Sequence, residues 1–241
     1  MWICHAKRTL TVFELSEALS VRHGQTSLNQ KHCPSPSMII ECCQGLVILD
    51  SESKSIRLAH YAIQEYLVGQ SEKLFFKAES NIATTCLVYL LFDAFKEGPC
   101  SEEFEIHSRI EKNHFVSYAS RYWGVHVRSS ETDRNVQQLV FTFLASHDAI
   151  ARSYQIMEFE KLRRERYWTP EECHSGWYFP TPFFHSWLVW QLWDTGSPLT
   201  WPPTLEICVL ISKWFLGKQN WHWYSEQSRR SIMRAASVLK I

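Results

Sequence analysis

Residues 46–67 constrain the fold more than any other stretch of this chain. Leu46-Val47-Ile48-Leu49 is an unbroken apolar run, 50–54 is a polar turn, and the return strand 55–58 sets Ile56 and Leu58 on one face. His60 follows at once and opens a helical pattern through Leu67. A hairpin running straight into a helix needs other helices to cover its apolar side. The head of such a helix also offers free backbone N–H groups and a partial positive charge, which suit a phosphate. A histidine there can donate to that phosphate, so His60 is the candidate nucleotide-sensing residue, a sensor or interface element rather than a catalytic group.

The covering helices are legible upstream. Thr11-Val12-Phe13-Glu14 fits a capping box, and Val12, Leu15 and Leu19 then fall at helical spacing. Gly24 stops that helix and 25–34 reads as a polar loop. Ser35-Pro36 is an N-cap with proline in the first turn, opening a helix over 37–44 that Gly45 ends. Helix, helix, hairpin, helix is the outline of a winged helix, expected over 1–70.

Residues 72–146 read as a helical linker domain. Ile82, Cys86, Tyr89 and Leu90 mark a helix over 81–95, broken at Gly98-Pro99, and a short amphipathic helix follows at 102–110. Phe115, Tyr118, Ala119 and Tyr122 share a face of a helix closed by Gly124. Val136, Leu139, Val140, Phe143 and Leu144 form an i, i+3, i+4, i+7, i+8 stripe over 135–146. Stacked helices of this kind make a spacer or superhelix rather than a pocket. The expected class is therefore mainly α, a winged helix with a small β-hairpin followed by a helical, superhelical segment.

From 147 to 241 the character changes. Nine of the 11 tryptophans and six of the nine prolines lie from Trp168 onward, and 161–166 is a mixed-charge helical end. Thr181-Pro182-Phe183-Phe184-His185 and Leu192-Trp193-Asp194-Thr195-Gly196 faintly resemble parts of an ankyrin repeat but stand too close for one unit of about 33 residues. This segment is expected to be a Trp- and Pro-rich tail, degenerate ankyrin-like or poorly folded. Its clusters Trp187, Trp190, Trp193 and Trp221, Trp223 are read as core, unstructured chain or an interaction patch.

Composition narrows the function classes. With 45% apolar and 21% charged residues and a formal net charge of zero, the chain is globular and has no global attraction to nucleic acid or an anionic membrane. Its longest apolar runs fall short of the about 20 residues a bilayer span needs. The eight cysteines are spread from Cys4 to Cys208 without a secretory signal, which points to reduced thiols and a cytoplasmic setting. Cys4-His5, His32-Cys33, Cys42-Cys43 and Cys173-His174 are adjacent pairs without the Cys-x-x-Cys spacing of a tetrahedral zinc site, so no metal is expected. No phosphate loop of the Gly-x-x-x-x-Gly-Lys-Ser/Thr type occurs, and no nucleophile elbow surrounds any serine or cysteine. The chain is read as no enzyme, with no cofactor.

Three stretches carry a family resemblance: Trp2-Ile3-Cys4-His5-Ala6-Lys7-Arg8-Thr9-Leu10-Thr11, Cys43-Gln44-Gly45-Leu46-Val47 and Leu58-Ala59-His60-Tyr61-Ala62-Ile63-Gln64-Glu65-Tyr66-Leu67. They resemble the winged helix of GPI inositol-deacylase type that follows the NACHT ATPase in fungal NLR-like proteins of the STAND class. Tyr118-Ala119-Ser120-Arg121-Tyr122-Trp123-Gly124-Val125-His126 is similar to the helical block that joins this winged helix to ankyrin or other repeats. The resemblance implies a regulatory module without catalysis, in which His60 senses the diphosphate of bound ADP and the helices relay that state. Tyr61 stands where the family carries an acidic residue after the histidine. Tyr66, Trp123 and His126 are the interaction residues it implies, and the partner is a NACHT ATPase domain in cis or in trans, with no nucleic acid and no membrane. The chain is then expected to be a fragment lacking the NTPase and clear repeats. One alternative is a winged-helix DNA-binding protein, although the helix over 37–44 carries no basic residue and the wing only Lys54 and Arg57. A non-functional truncated gene product is the other.

Overall fold

The winged helix is built around a sheet of three strands. The computed structural model describes residues 1–165 apart from Glu131. Strand β2 (Val47–Leu49) pairs antiparallel with β3 (Ser55–Leu58) in the expected hairpin, and β1 (Leu10–Thr11) adds to the far side of β3, giving the order β1-β3-β2. Leu10 lies opposite Ile56, and Ile56 opposite Leu49, so one apolar row crosses all three strands. The strand β1 has two residues, too short for any period-2 pattern to show.

Three helices cover this sheet. After α1 (Trp2–His5), the capping box starts α2 (Val12–Ser20): Glu14 N–H donates to Thr11 Oγ1 at 3.2 Å, and Thr11 N–H donates to Glu14 Oε2 at 2.8 Å. Arg8 clamps the same carboxylate through both guanidinium nitrogens, at 2.8 and 2.5 Å. Ser35 caps α3 (Pro36–Cys42), with Pro36 in its first turn. Val12 and Leu15 are buried as the spacing requires, but Leu19 is 41% exposed. The inner face of α2 instead carries Ala18 with Glu14, Ser16, Glu17 and Ser20, a polar set that hydrophobic spacing cannot reveal. Ser16 and Ser20 donate to the carbonyls of Pro34 and His32 and so tie the 25–34 loop down.

Beyond α4 (Tyr61–Gly69) and α5 (Ser71–Leu74) lies a helical layer of α6 (Ala78–Leu90), α7 (Glu103–Lys112), α8 (Val116–Arg128), α9 (Arg134–Ala145) and α10 (His147–Glu165). The helices α6 and α8 form its centre, flanked by α9 and α10. Ile82, Cys86, Leu87, Tyr89, Phe115, Tyr118, Ala119, Trp123 and Phe143 are wholly buried there. Three sequence expectations are corrected in this layer. Helix α6 stops at Leu90, and Asp93–Phe95 forms a separate 3₁₀ turn. Gly124 does not close α8, which runs to Arg128. A mid-helix glycine costs about 1 kcal/mol, and the burial of Trp123, His126 and Val127 around it outweighs that. The helical layer also does not end at 146, because α10 packs on α7, α8 and α9 and buries Ile156 and Phe159. The Gln155 amide completes the join, accepting from Cys100 N–H at 2.8 Å and donating to Cys100 O at 2.7 Å. The tail readings from residue 166 onward, including the tryptophan clusters and the ankyrin-like stretches, lie outside the described residues.

Two polar junctions bind the winged helix to this layer. At the first, Glu17 of α2 is 4% exposed and accepts from Tyr89 Oη at 2.5 Å and from the backbone N–H of His114 and Phe115 at 3.1 Å each. A carboxylate from one helix thus caps another, at the end where the dipole favours negative charge. Burial beside Glu17 holds the Tyr89 hydroxyl far above its ordinary range. At the second, Lys7 N–H donates to Tyr118 Oη at 3.0 Å, Tyr118 Oη meets His126 Nε2 at 2.8 Å, and His126 Nδ1 meets Glu79 Oε2 at 2.5 Å. Lys7 Nζ closes the circuit on Glu79 Oε1 at 3.0 Å. Burial depresses the His126 imidazole below 6.5, more than the adjacent carboxylate raises it. Burial would raise Glu79, but the hydrogen bonds from His126 and Lys7 prevail and bring it down from 4.5 to about 2. The ring is therefore neutral and its partner ionised.

Glu17→Ala strands the buried Tyr89 hydroxyl and the buried Phe115 N–H and removes the acceptor of the part-buried His114 N–H; it is expected to cost about 3 kcal/mol in urea denaturation. Acid should weaken the fold in two steps. As pH falls below 6.5 the unfolded chain takes up a proton that folded His126 resists, and between 4.5 and about 2 Glu79 does the same, so stability drops through both windows. Urea midpoints measured against pH check this; Glu79→Gln should shrink the lower step, to which Asp50, Asp93 and Asp133, also held low in the folded chain, contribute the rest.

Candidate functional site: a basic cleft at the head of the fourth helix

Helix α4 begins where β3 ends. Its N-cap is His60, in extended conformation (φ −138°, ψ 144°), whose side chain makes no capping hydrogen bond. The His60 carbonyl accepts from Ile63 and Gln64 N–H, as a helix start requires, while the N–H groups of Tyr61 and Ala62 have no partner among the described residues. The His60 side chain is exposed. The structure thus places the histidine at the helix head as the sequence implies, with the local donors open.

A cleft of about 420 Å³ opens beside it, walled by α1, the 6–10 segment, the outer half of β3 and the first turn of α4. Its charged side chains are Arg8 and Arg57, with the His60 imidazole beside them, and no acidic residue lines it. Arg8 spends its charge on Glu14 and lies 5.3 Å from the Tyr118 ring centre. Arg57 is exposed and makes no ion pair among the described residues. The strand pairing explains its direction: Ile56 faces the core, so Arg57, opposite Ile48, faces out. Sequence reading counted Arg57 only as a weak wing cation; its convergence with His60 needed the turn at Ala59. Cys4 also lines the cleft, but burial raises its thiol, which keeps it protonated at neutral pH and a poor nucleophile. Among the described residues no group of three or more His, Cys, Asp or Glu side chains could hold a metal ion. Chemically the cleft suits an anion with several acceptor oxygens.

The other implied site residues separate. Tyr66 is 65% exposed on α4, and none of that helix's residues is buried. Tyr61, Val68, Leu74 and Phe76 are exposed as well, at 72%, 54%, 50% and 76%. Trp123 and His126 are both 0% exposed, which corrects their assignment to an interaction surface. Trp123 packs edge-on to Phe143 at 5.0 Å, and His126 belongs to the buried junction with Tyr118 and Glu79. Aromatic and histidine side chains at helical spacing serve a core or a surface equally well, and only the packing of α6 and α9 against α8 settles which. No described helix is long and apolar enough to cross a membrane.

Against known proteins, residues 1–83 match the family described as GPI inositol-deacylase, winged helix domain. No curated protein matches the chain, and no solved structure does. The matched span runs from α1 through α5 into α6 and contains every residue of the cleft. A domain of this type is non-catalytic in itself. The first 83 residues are a winged-helix domain, and the basic cleft belongs to it.

Proposed function

We propose that this chain is a non-catalytic regulatory module that docks on the nucleotide-bound ATPase domain of a NACHT-type STAND protein, in cis or in trans. In this reading α4 is the docking helix, and the cleft at its head meets the phosphates that the ATPase domain holds. The observation that carries it is the state of α4: a nine-residue helix with no buried residue and with Tyr61 and Tyr66 exposed, whose first turn lines a cleft together with Arg57 and His60. Exposed aromatic side chains on the helix that heads a basic cleft fit a protein partner that presents an anion at its edge. The helical layer, joined to the winged helix by the Glu17 and His126 junctions, would carry the docking state onward to downstream segments in the cytoplasm. DNA recognition is disfavoured, because Glu41 is the only charged residue of α3.

The test is direct binding between the full chain and a recombinant NACHT-type ATPase domain loaded with ADP, loaded with an ATP analogue, or empty. Tighter binding to the ADP form is expected. His60→Ala and Arg57→Ala should each reduce that preference about tenfold, the worth of one charge-assisted hydrogen bond. Tyr66→Ala should weaken all forms equally. Equal binding to the three nucleotide states, or no effect of Arg57→Ala and His60→Ala, would refute the reading. Salt-dependent DNA affinity at low ionic strength would favour the DNA-binding alternative instead.

A further inference from the structure

We propose that Tyr118, His126 and Glu79 form a proton-operated latch, which fastens the 6–9 segment to α8 while His126 is neutral and releases it when His126 takes a second proton. The argument rests on donors and acceptors. With Nδ1–H directed at Glu79, neutral His126 offers Nε2 as an acceptor. Tyr118 then donates its O–H to Nε2 at 2.8 Å, and its oxygen accepts Lys7 N–H at 3.0 Å. Every group in the chain is satisfied in one direction. A proton on Nε2 turns that acceptor into a donor. Two N–H groups then compete for one phenolic oxygen, and the Tyr118 hydroxyl hydrogen loses its acceptor in a site where Tyr118 and His126 are 0% exposed.

The surrounding charges oppose the second proton as well. From α1 and the following segment, His5, Lys7 and Arg8 face the site: His5 Nδ1 is 3.6 Å and Lys7 Nζ 3.0 Å from Glu79 Oε1, and Arg8 lies over the Tyr118 ring. From α6 come Glu79 and the buried Cys86; from α8, Tyr118 and Tyr122. Glu79 is the carboxylate that meets the ring, and it is already shared. Asp133 at the head of α9 is paired with Lys77, and Glu160 of α10 accepts from Ser117. A cationic His126 keeps Glu79 Oε2 through Nδ1, and Lys7 Nζ keeps Oε1, but the new Nε2–H takes Tyr118 Oη from the Lys7 amide. That loss falls on Lys7, so the 6–9 segment is the part that gives way. Leu10 and Thr11 stay in the sheet opposite Ile56 and Ser55. Because Ala6, Arg8 and Thr9 line the basic cleft, release alters one of its walls. That consequence rests on the function proposed above; the release itself does not.

Amide hydrogen exchange on the full chain tests the latch, with rates normalised to the intrinsic pH dependence. Between about pH 7.5 and about pH 5 the Lys7 amide, the donor to Tyr118 Oη, should lose about tenfold in protection, while the amides of α6 and α8 keep theirs. His126→Gln, which can still accept from Tyr118 and donate to Glu79, should remove the loss. Tyr118→Phe should leave the Lys7 amide poorly protected already at the higher pH. Constant protection of the Lys7 amide overturns the latch, as does a loss in step with α6 and α8, which is acid unfolding of the layer. A loss that persists in His126→Gln overturns it too, because the titrating group is then His5 or another. Should the variants fail to fold, the His126 ring resonances of the native chain must titrate with the same midpoint as the exchange of the Lys7 amide; different midpoints sink the proposal. Pyrophosphate binding measured at both pH values separates the two readings: release of 6–9 with no pyrophosphate binding at either pH leaves the latch standing and counts against the cleft.

Discussion

The architecture turns on one carboxylate. Glu17 sits on α2 of the winged helix, but its hydrogen bonds all go to the helical layer: the Tyr89 hydroxyl on α6 and the two backbone N–H groups that lead into α8. A buried carboxylate is costly unless its oxygens are filled by well-placed donors. Here they are filled only if α2, α6 and the head of α8 are held together, so the cost of burial becomes a geometric constraint. Trp2 reinforces it from the other side, edge-on to Phe115 at 5.5 Å and to Tyr118 at 6.2 Å. The winged helix and the helices after it are packed together, and residues 1–165 fall within a single compact unit.

This constraint gives the two polar junctions different characters. The Glu17 junction is made of one carboxylate filled by backbone and phenol donors. The His126 junction has a titratable ring at its centre and a neutral-state hydrogen-bond direction that a proton reverses. One holds the winged helix in place, and the other reaches only the segment that borders the cleft.

Much of the fold was legible because its signals are local. The Thr11–Glu14 capping box, the Ser35-Pro36 helix start, the hairpin and the apolar spacing of α6 and α9 are short-range patterns, and each element formed where its pattern lies. The failures share a cause. Leu19 lies on the expected apolar stripe yet faces out, because the inner face of α2 was assigned to Glu17 and its partners about seventy to a hundred residues away. Gly124 reads as a stop, but burial on both sides of it carries α8 through. The third strand, two residues long, exists only because β3 is there to pair with it.

The sequence by itself determined most of the elements, the class and the place of His60, since caps, glycine turns and hydrophobic spacing act over a few residues. It also determined the match of residues 1–83 to a winged-helix domain. Only the tertiary structure decided which of the singled-out side chains reach the surface. Tyr66 does, while Trp123 and His126 are enclosed by helices far from them in sequence. The structure alone brought Arg57 and His60 to one cleft and Lys7, Glu79, Tyr118 and His126 to one relay. The physical reason is common to both: burial and hydrogen-bond direction depend on which distant segments pack together, and no short stretch of sequence carries that information.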